Sequence, residues 1–127
     1  MRRLALSLPQ TTEKPSHGIG HTPAWKVKEK SFAWVRPLRK SDREALGPDA
    51  PSGEILGVRT EHEGAKFALI EEQPEIYFTT PHFDGYPAVL VRLDVIGVDE
   101  LQELLVDAWL ARAPRKLADA YLAEHLN

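Results

Sequence analysis

Alternating apolar and polar residues predict an antiparallel sheet. In residues 24–28, Trp25 and Val27 alternate with two lysines, which is the pattern of a half-buried strand. A short gap leads to a second apolar segment, in which Phe32 and Trp34 are expected on one face, so the two segments form a hairpin. The predicted strands are residues 24–28, 31–36, 54–60, 76–80 and 87–94.

A period of three to four residues predicts helices in the last third of the chain. Five apolar residues recur at the spacing of a helix that faces a core: Leu101, Leu104, Leu105, Ala108 and Trp109. Pro114 ends this helix, and a second helix follows. Asp99 is the expected cap of the first one, and Asp107 is expected to pair with a basic residue of the sheet.

Weaker signals place shorter helices and turns. One helix is predicted over residues 2–8. A second is predicted after Ser41, because Ser41 and Glu44 match a capping box. A third is predicted over residues 61–73, with Phe67, Leu69 and Ile70 as its apolar residues. Residues 10–23 are predicted as a loop. Asp84-Gly85 predicts a tight hairpin turn of type I′, in which both central residues have positive φ. These elements give an α+β class: an antiparallel sheet with helices on one face, in a single domain over residues 1–127.

Amino-acid composition excludes several classes of functional site. The 127 residues include no cysteine, which excludes disulfides, thiolate metal sites and a cysteine nucleophile. No apolar segment is long enough for a membrane helix, and the apolar stretch after Arg2 and Arg3 is too short for a signal peptide, so we expect a cytoplasmic protein without membrane contact. No motif indicates a catalytic residue, a metal site or a cofactor.

Charge is distributed unevenly. Residues 1–43 hold ten Lys/Arg and three Asp/Glu, a net +7, whereas residues 44–127 hold six and sixteen, a net −10. Such a division is typical of chains that bind nucleic acid or an acidic partner, although a block of sequence need not be a surface patch. The candidate phosphate contacts are Lys26, Lys28, Lys30, Arg36, Arg39, Lys40 and Arg43.

A weaker candidate is a small-ligand site around the predicted Asp84-Gly85 turn. It would consist of His82, Asp84, Tyr86 and Arg92, if these side chains converge on a pocket. The alternative is that Asp84 is only a turn residue. His17 and His21 are four residues apart, a spacing that would let both bind one metal ion if the segment were a helix. The glycines between them argue against a helix.

The sequence resembles the MmcQ/YjbR family. The resemblance covers nearly the whole chain and depends on four segments in order: LSLPQTTE, AWKVKEKSFAW, TPHFDGYPAVLVRL and LVDAW. It implies a small α+β fold related to type III secretion chaperones, with two hairpin wings, and a suspected role in DNA binding. The family usually has glycine where Glu29 stands in the first hairpin turn, so a turn of different shape is expected here.

The sequence therefore predicts a binding module without catalytic activity. Double-stranded DNA, held by the basic hairpin face, is the leading partner. A chaperone-like module that binds another protein is the alternative, and it requires an exposed apolar patch. The small-ligand site is the third hypothesis.

Overall fold

A computed structural model describes residues 1–15 and 22–125 of the chain. Its strands are β1 (Thr11–Pro15), β2 (Pro23–Val27), β3 (Lys30–Val35), β4 (Ile55–Arg59), β5 (Tyr77–Phe78) and β6 (Ala88–Arg92). Its helices are α1 (Arg2–Leu6), α2 (Lys40–Leu46), α3 (Glu63–Glu72), α4 (Val98–Arg112) and α5 (Arg115–His125). The strands form one antiparallel sheet in the order β1-β2-β3-β4-β6-β5, which confirms the α+β prediction. The predicted His17/His21 pair lies outside the described residues.

The main core lies on the face of the sheet that we call the helix-covered face. Trp25 and Val27 of β2 contribute to it, and the apolar residues predicted for α4 are all buried there, which confirms that helical pattern. Trp109 is completely buried, and its indole nitrogen donates to the carbonyl oxygen of Pro9 at 3.0 Å. This bond fixes the segment after α1 against α4.

The other side of the sheet, which we call the open face, carries a second and smaller apolar cluster. Its buried members are Ile55, Phe78, Phe83 and Leu90, and Trp34, Leu38 and Leu46 pack against them. Leu46 belongs to α2, so this helix lies on the open face. The prediction that helices cover one face only is therefore wrong.

A bulge in β3 explains why Trp34 is on the open face. Trp25 is opposite Ala33 and Lys26 is opposite Ser31, so Phe32 has no partner in β2. An extra residue shifts the alternation by one position. Phe32 therefore faces the main core and Trp34 the second cluster, and the prediction that they share a face is wrong.

Two further predictions need correction. Part of the predicted loop 10–23 is β1, an edge strand whose polar sequence shows no alternation. The last two strands do pair, but residues 79–87 separate them, so the second wing is not a tight hairpin. Asp84 (φ −59°, ψ 131°) and Gly85 (φ 77°) have the dihedrals of a type II turn rather than type I′.

The helix starts also differ from the capping predictions. In α2 the carboxylate of Asp42, not Glu44, accepts a hydrogen bond from the backbone nitrogen of Arg39 at 2.9 Å, so Ser41 lies inside the helix. Gly97, not Asp99, precedes α4, and no side chain caps it. In α3 the Nδ1 atom of His62 accepts from the backbone nitrogen of Ala65 at 3.0 Å.

The β2–β3 hairpin has the turn shape that glycine normally occupies. Lys28 (φ 48°) and Glu29 (φ 70°) both have positive φ between the paired residues Val27 and Lys30, as in a type I′ turn. The expectation of a different turn at Glu29 is therefore wrong. Two residues with side chains adopt a left-handed conformation that costs each of them about 1–2 kcal/mol.

We expect Glu29→Gly to raise the free energy of unfolding by about 0.5–1 kcal/mol, because glycine removes the strain at a moderate cost in unfolded-chain entropy. The ion pair between Glu29 and Lys14 (3.4 Å) joins exposed side chains and contributes little. Urea denaturation measures the change. Glu29→Ala is the control, since it loses the ion pair but keeps the strain. Equal stability of the two variants would contradict the prediction.

Candidate functional site

Arg36 is buried and holds α2 against the sheet. Its side chain pairs with that of Asp42, with Nη2 and Oδ2 3.0 Å apart, and both residues are almost completely buried. Nη1 of Arg36 donates to the carbonyl oxygen of Pro37, and the guanidinium lies 5.3 Å from the centre of the Phe83 ring. Burial lowers the pKa of Arg36, and the nearby Asp42 carboxylate opposes this shift. Because Arg36 is buried in this ion pair, its guanidinium is not accessible to phosphate, contrary to its predicted role as a contact.

Three of the predicted contacts are exposed to solvent at α2. Arg39 directly precedes the helix, and Lys40 and Arg43 lie on it. Within residues 1–15 and 22–125 none of them makes an ion pair, and Nη1 of Arg43 makes only a long contact of 3.5 Å with the carbonyl oxygen of Pro51. Because α2 packs on the open face, these cations belong to that side of the sheet.

The strand register divides the hairpin lysines between the two faces. Lys26 is paired with Ser31 and points to the open face, away from Trp25 and Val27. Lys30 is opposite the buried Val27 and therefore lies towards the helix-covered face. The seven basic residues therefore do not form the one continuous face that the sequence-based DNA-binding hypothesis requires.

Lys28 occupies the turn of the hairpin, beside α5. It borders a shallow recess together with Lys116 and Leu117. At the same turn Lys14 pairs with Glu29, which neutralises part of the charge at the tip. Lys28 and Lys30 therefore form a group at the hairpin tip that is separate from the cations of the open face.

The four residues of the weaker ligand site are not brought together. His82 and Asp84 are exposed in the loop after β5. The rings of His82 and Phe83 pack edge to face, with their centroids 4.9 Å apart. Tyr86 receives a hydrogen bond of 3.2 Å from Nη1 of Arg59, whose guanidinium lies over its ring. Arg92 is at the opposite end of β6 and lies over Phe78.

Lys66 anchors this loop, and sequence reasoning missed it. Its side chain is completely buried, and Nζ donates to the carbonyl oxygens of Phe83 at 2.7 Å and Tyr86 at 3.0 Å. Burial lowers the pKa of Lys66, against the attraction of Glu63 and Asp84. Phe67, one of the apolar residues of the predicted helix 61–73, is 51% exposed. No sequence signal distinguishes Lys66 from a surface lysine.

A cleft of about 540 Å³ separates α3 from α4. Its apolar walls include Leu69, Leu104 and Leu110, and Asp107 lies at the polar rim. Burial raises the pKa of Asp107, and the charges of Glu103 and Glu61 raise it further. In the described part of the chain Asp107 makes no ion pair, so the expected partner from the sheet is not found.

Within residues 1–15 and 22–125, no group of three His, Asp or Glu side chains comes close enough to hold a metal ion. None of the helices described has both the length and the apolar character needed to cross a membrane.

Comparison with known proteins gives three findings. The family model described as YjbR matches residues 6–111. Uncharacterised proteins of Mycobacterium tuberculosis and Mycobacterium bovis are each 56% identical over 124 residues, covering 95% of this chain and 92% of theirs. The crystal structure of a Deinococcus radiodurans protein with a DUF419 domain is similar, with a TM-score of 0.65 and 20% identity over 97% of this chain and 83% of that one. This structural likeness shows the fold.

Proposed function

The chain belongs to the YjbR family, and on that premise we propose that it is a single-domain binding module without catalytic activity whose partner is double-stranded DNA. The proposed contacts with one duplex are the four cations of the open face, Lys26, Arg39, Lys40 and Arg43. Lys28 and Lys30, which form a separate group at the hairpin tip, are not counted among them. Arg36 is left out because it is buried in an ion pair. A cytoplasmic location is part of this proposal.

The observation that carries the proposal is the absence of counter-charges on the open-face cations. Throughout the described residues, none of the four pairs with a carboxylate, even though the chain as a whole has a net charge of −3. A cation without a protein partner can neutralise a phosphate and release the counterions condensed on DNA. Such contacts provide affinity without reading the base sequence.

The spacing of these cations suits a duplex. Ala24, two residues before Lys26, pairs with Trp34, and Arg36, where the chain leaves the sheet towards α2, follows Trp34 by two residues. At about 3.3 Å per residue, the distance from the level of Lys26 to that of Arg36 is about 13 Å. Phosphates of one strand recur about every 3.4 Å along the helix axis, so this distance spans about four of them.

We expect the double variant Lys40→Gln/Arg43→Gln to bind a random-sequence duplex about tenfold more weakly at low salt, since two phosphate contacts are lost. Fluorescence anisotropy of labelled duplex measures the affinity. The matched control is Arg3→Gln/Arg115→Gln, which removes the same charge from exposed sites on α1 and α5. An equal loss in both variants would show that only net charge matters and would contradict the proposal.

The chaperone-like alternative has less support from the surface. The large exposed apolar residues lie on separate elements: Leu6 on α1, Phe67 on α3, Tyr86 in the loop before β6, and Val95 and Val98 near the start of α4. Single apolar residues on a surface are normal and do not indicate a docking patch.

A further inference from the structure

The cleft between α3 and α4 has the size and lining of a small-molecule site. Its volume of about 540 Å³ falls in the range of about 300–1,000 Å³ that such sites occupy. The apolar wall combines leucines with three small side chains, and these leave the space open: Ala65, Ala68 and Ala111. An aliphatic group can therefore enter between the two helices.

The charged groups at the rim are mostly acidic. Glu61, Glu72 and Asp107 line the cleft, and across the described ranges none of the three makes an ion pair. Arg59 also lines it: its guanidinium covers the Tyr86 ring and donates from Nη1 to the Tyr86 hydroxyl, while its Nε atom is buried without a hydrogen-bond partner among the described residues. The rim therefore has an excess of negative charge beside an apolar space.

We propose that this cleft binds a small organic amine, with its short aliphatic body between α3 and α4 and its ammonium group beside Asp107. Burial, together with the charges of Glu103 and Glu61, raises the pKa of Asp107 in the free protein, and an ammonium group beside Asp107 would offset both effects. A carboxylate or phosphate ligand would add to that repulsion. The site is separate from the proposed DNA contacts and does not depend on them.

Titrations of isotope-labelled protein with n-hexylamine and n-hexanol, followed by backbone amide NMR shifts, test the proposal. We expect n-hexylamine at millimolar concentrations to shift the amides of Ala68, Leu69 and Asp107, and n-hexanol to bind more weakly. Asp107→Asn is expected to weaken n-hexylamine binding about three- to fivefold, as for a partly exposed ion pair, and to leave n-hexanol binding unchanged. Asp99→Asn, an exposed carboxylate on the same helix, is the matched control.

A second variant tests the location directly. Ala68→Leu places a larger side chain in the cleft at an exposed position of α3, and we expect it to abolish binding of both probes. The proposal is overturned if n-hexylamine shifts none of the cleft amides, if n-hexanol binds as tightly as n-hexylamine, if Asp107→Asn behaves like Asp99→Asn, or if Ala68→Leu still binds n-hexylamine.

Discussion

Replacement of Lys66 by alanine is expected to lower the free energy of unfolding by about 3 kcal/mol. The ammonium group of Lys66 satisfies the carbonyl oxygens of Phe83 and Tyr86, and its aliphatic stem is fully buried. Alanine leaves both oxygens without this donor and creates a cavity. The cost is partly offset, because the folded variant no longer buries a charged group.

Lys66→Met separates the two parts of this effect. Methionine keeps most of the buried volume but cannot donate, so we expect a loss of only about 1–2 kcal/mol. Lys116→Ala, at an exposed position of α5, is the control and should change stability by less than about 0.5 kcal/mol. Urea denaturation measures all three variants. If Lys66→Ala were as stable as Lys116→Ala, Lys66 would not anchor the loop.

The lowered pKa of Lys66 gives this prediction a pH dependence. Between that lowered pKa and the ordinary lysine value of 10.5, the unfolded chain holds the proton and the folded protein has released it. The unfolded state therefore binds more protons, so stability rises with pH in this window. The neutral amine keeps two N–H groups for the two carbonyls. We expect the stability of the wild type relative to Lys66→Met to increase as pH approaches 10.5 from below.

Gly57→Ala is expected to lower the free energy of unfolding by about 2 kcal/mol through overpacking. The indole of Trp34 crosses Gly57 on the open face, and a Cβ atom there would lie only 2.4 Å from Trp34 Cε2. The sequence shows this glycine only as a weak point in a strand. The structure gives its reason, which is close packing of an aromatic ring on the backbone.

A double-mutant cycle with Trp34→Leu tests this cause. The smaller side chain leaves room for a methyl group, so Gly57→Ala should cost less than about 0.5 kcal/mol in that background. Thermal or urea denaturation of the four proteins gives the coupling energy. A cost of the same size in both backgrounds would show that the backbone of β4, and not Trp34, excludes a side chain at residue 57.

Regular patterns in the sequence predicted much of the fold. The period of α4 identified buried residues such as Leu105 and Trp109, and the alternation in β2 identified Trp25. The pattern failed where one residue interrupts it: the bulge at Phe32 moves Trp34 to the other face. Such a bulge depends on pairing between strands, which a single-sequence periodicity does not contain.

The candidate site was less predictable than the fold. The net positive charge of residues 1–43 follows from composition, but burial decides whether each of these side chains can reach a ligand. Arg36 is neutralised by Asp42 in a buried ion pair. Lys66 belongs to the acidic segment, residues 44–127, and its side chain is buried. Both depend on contacts between distant elements. The same holds for the cleft at Asp107, because its walls come from two helices that are far apart in sequence.

The salt dependence of duplex binding tests the central claim that unpaired cations of the open face neutralise phosphates. For the wild type, with four contacts, the logarithm of the binding constant should fall with the logarithm of salt concentration with a slope of about −3.6. For Lys40→Gln/Arg43→Gln the slope should be about −1.8. A slope near zero, equal slopes for the two proteins, or no binding of the wild type at low salt would contradict the claim.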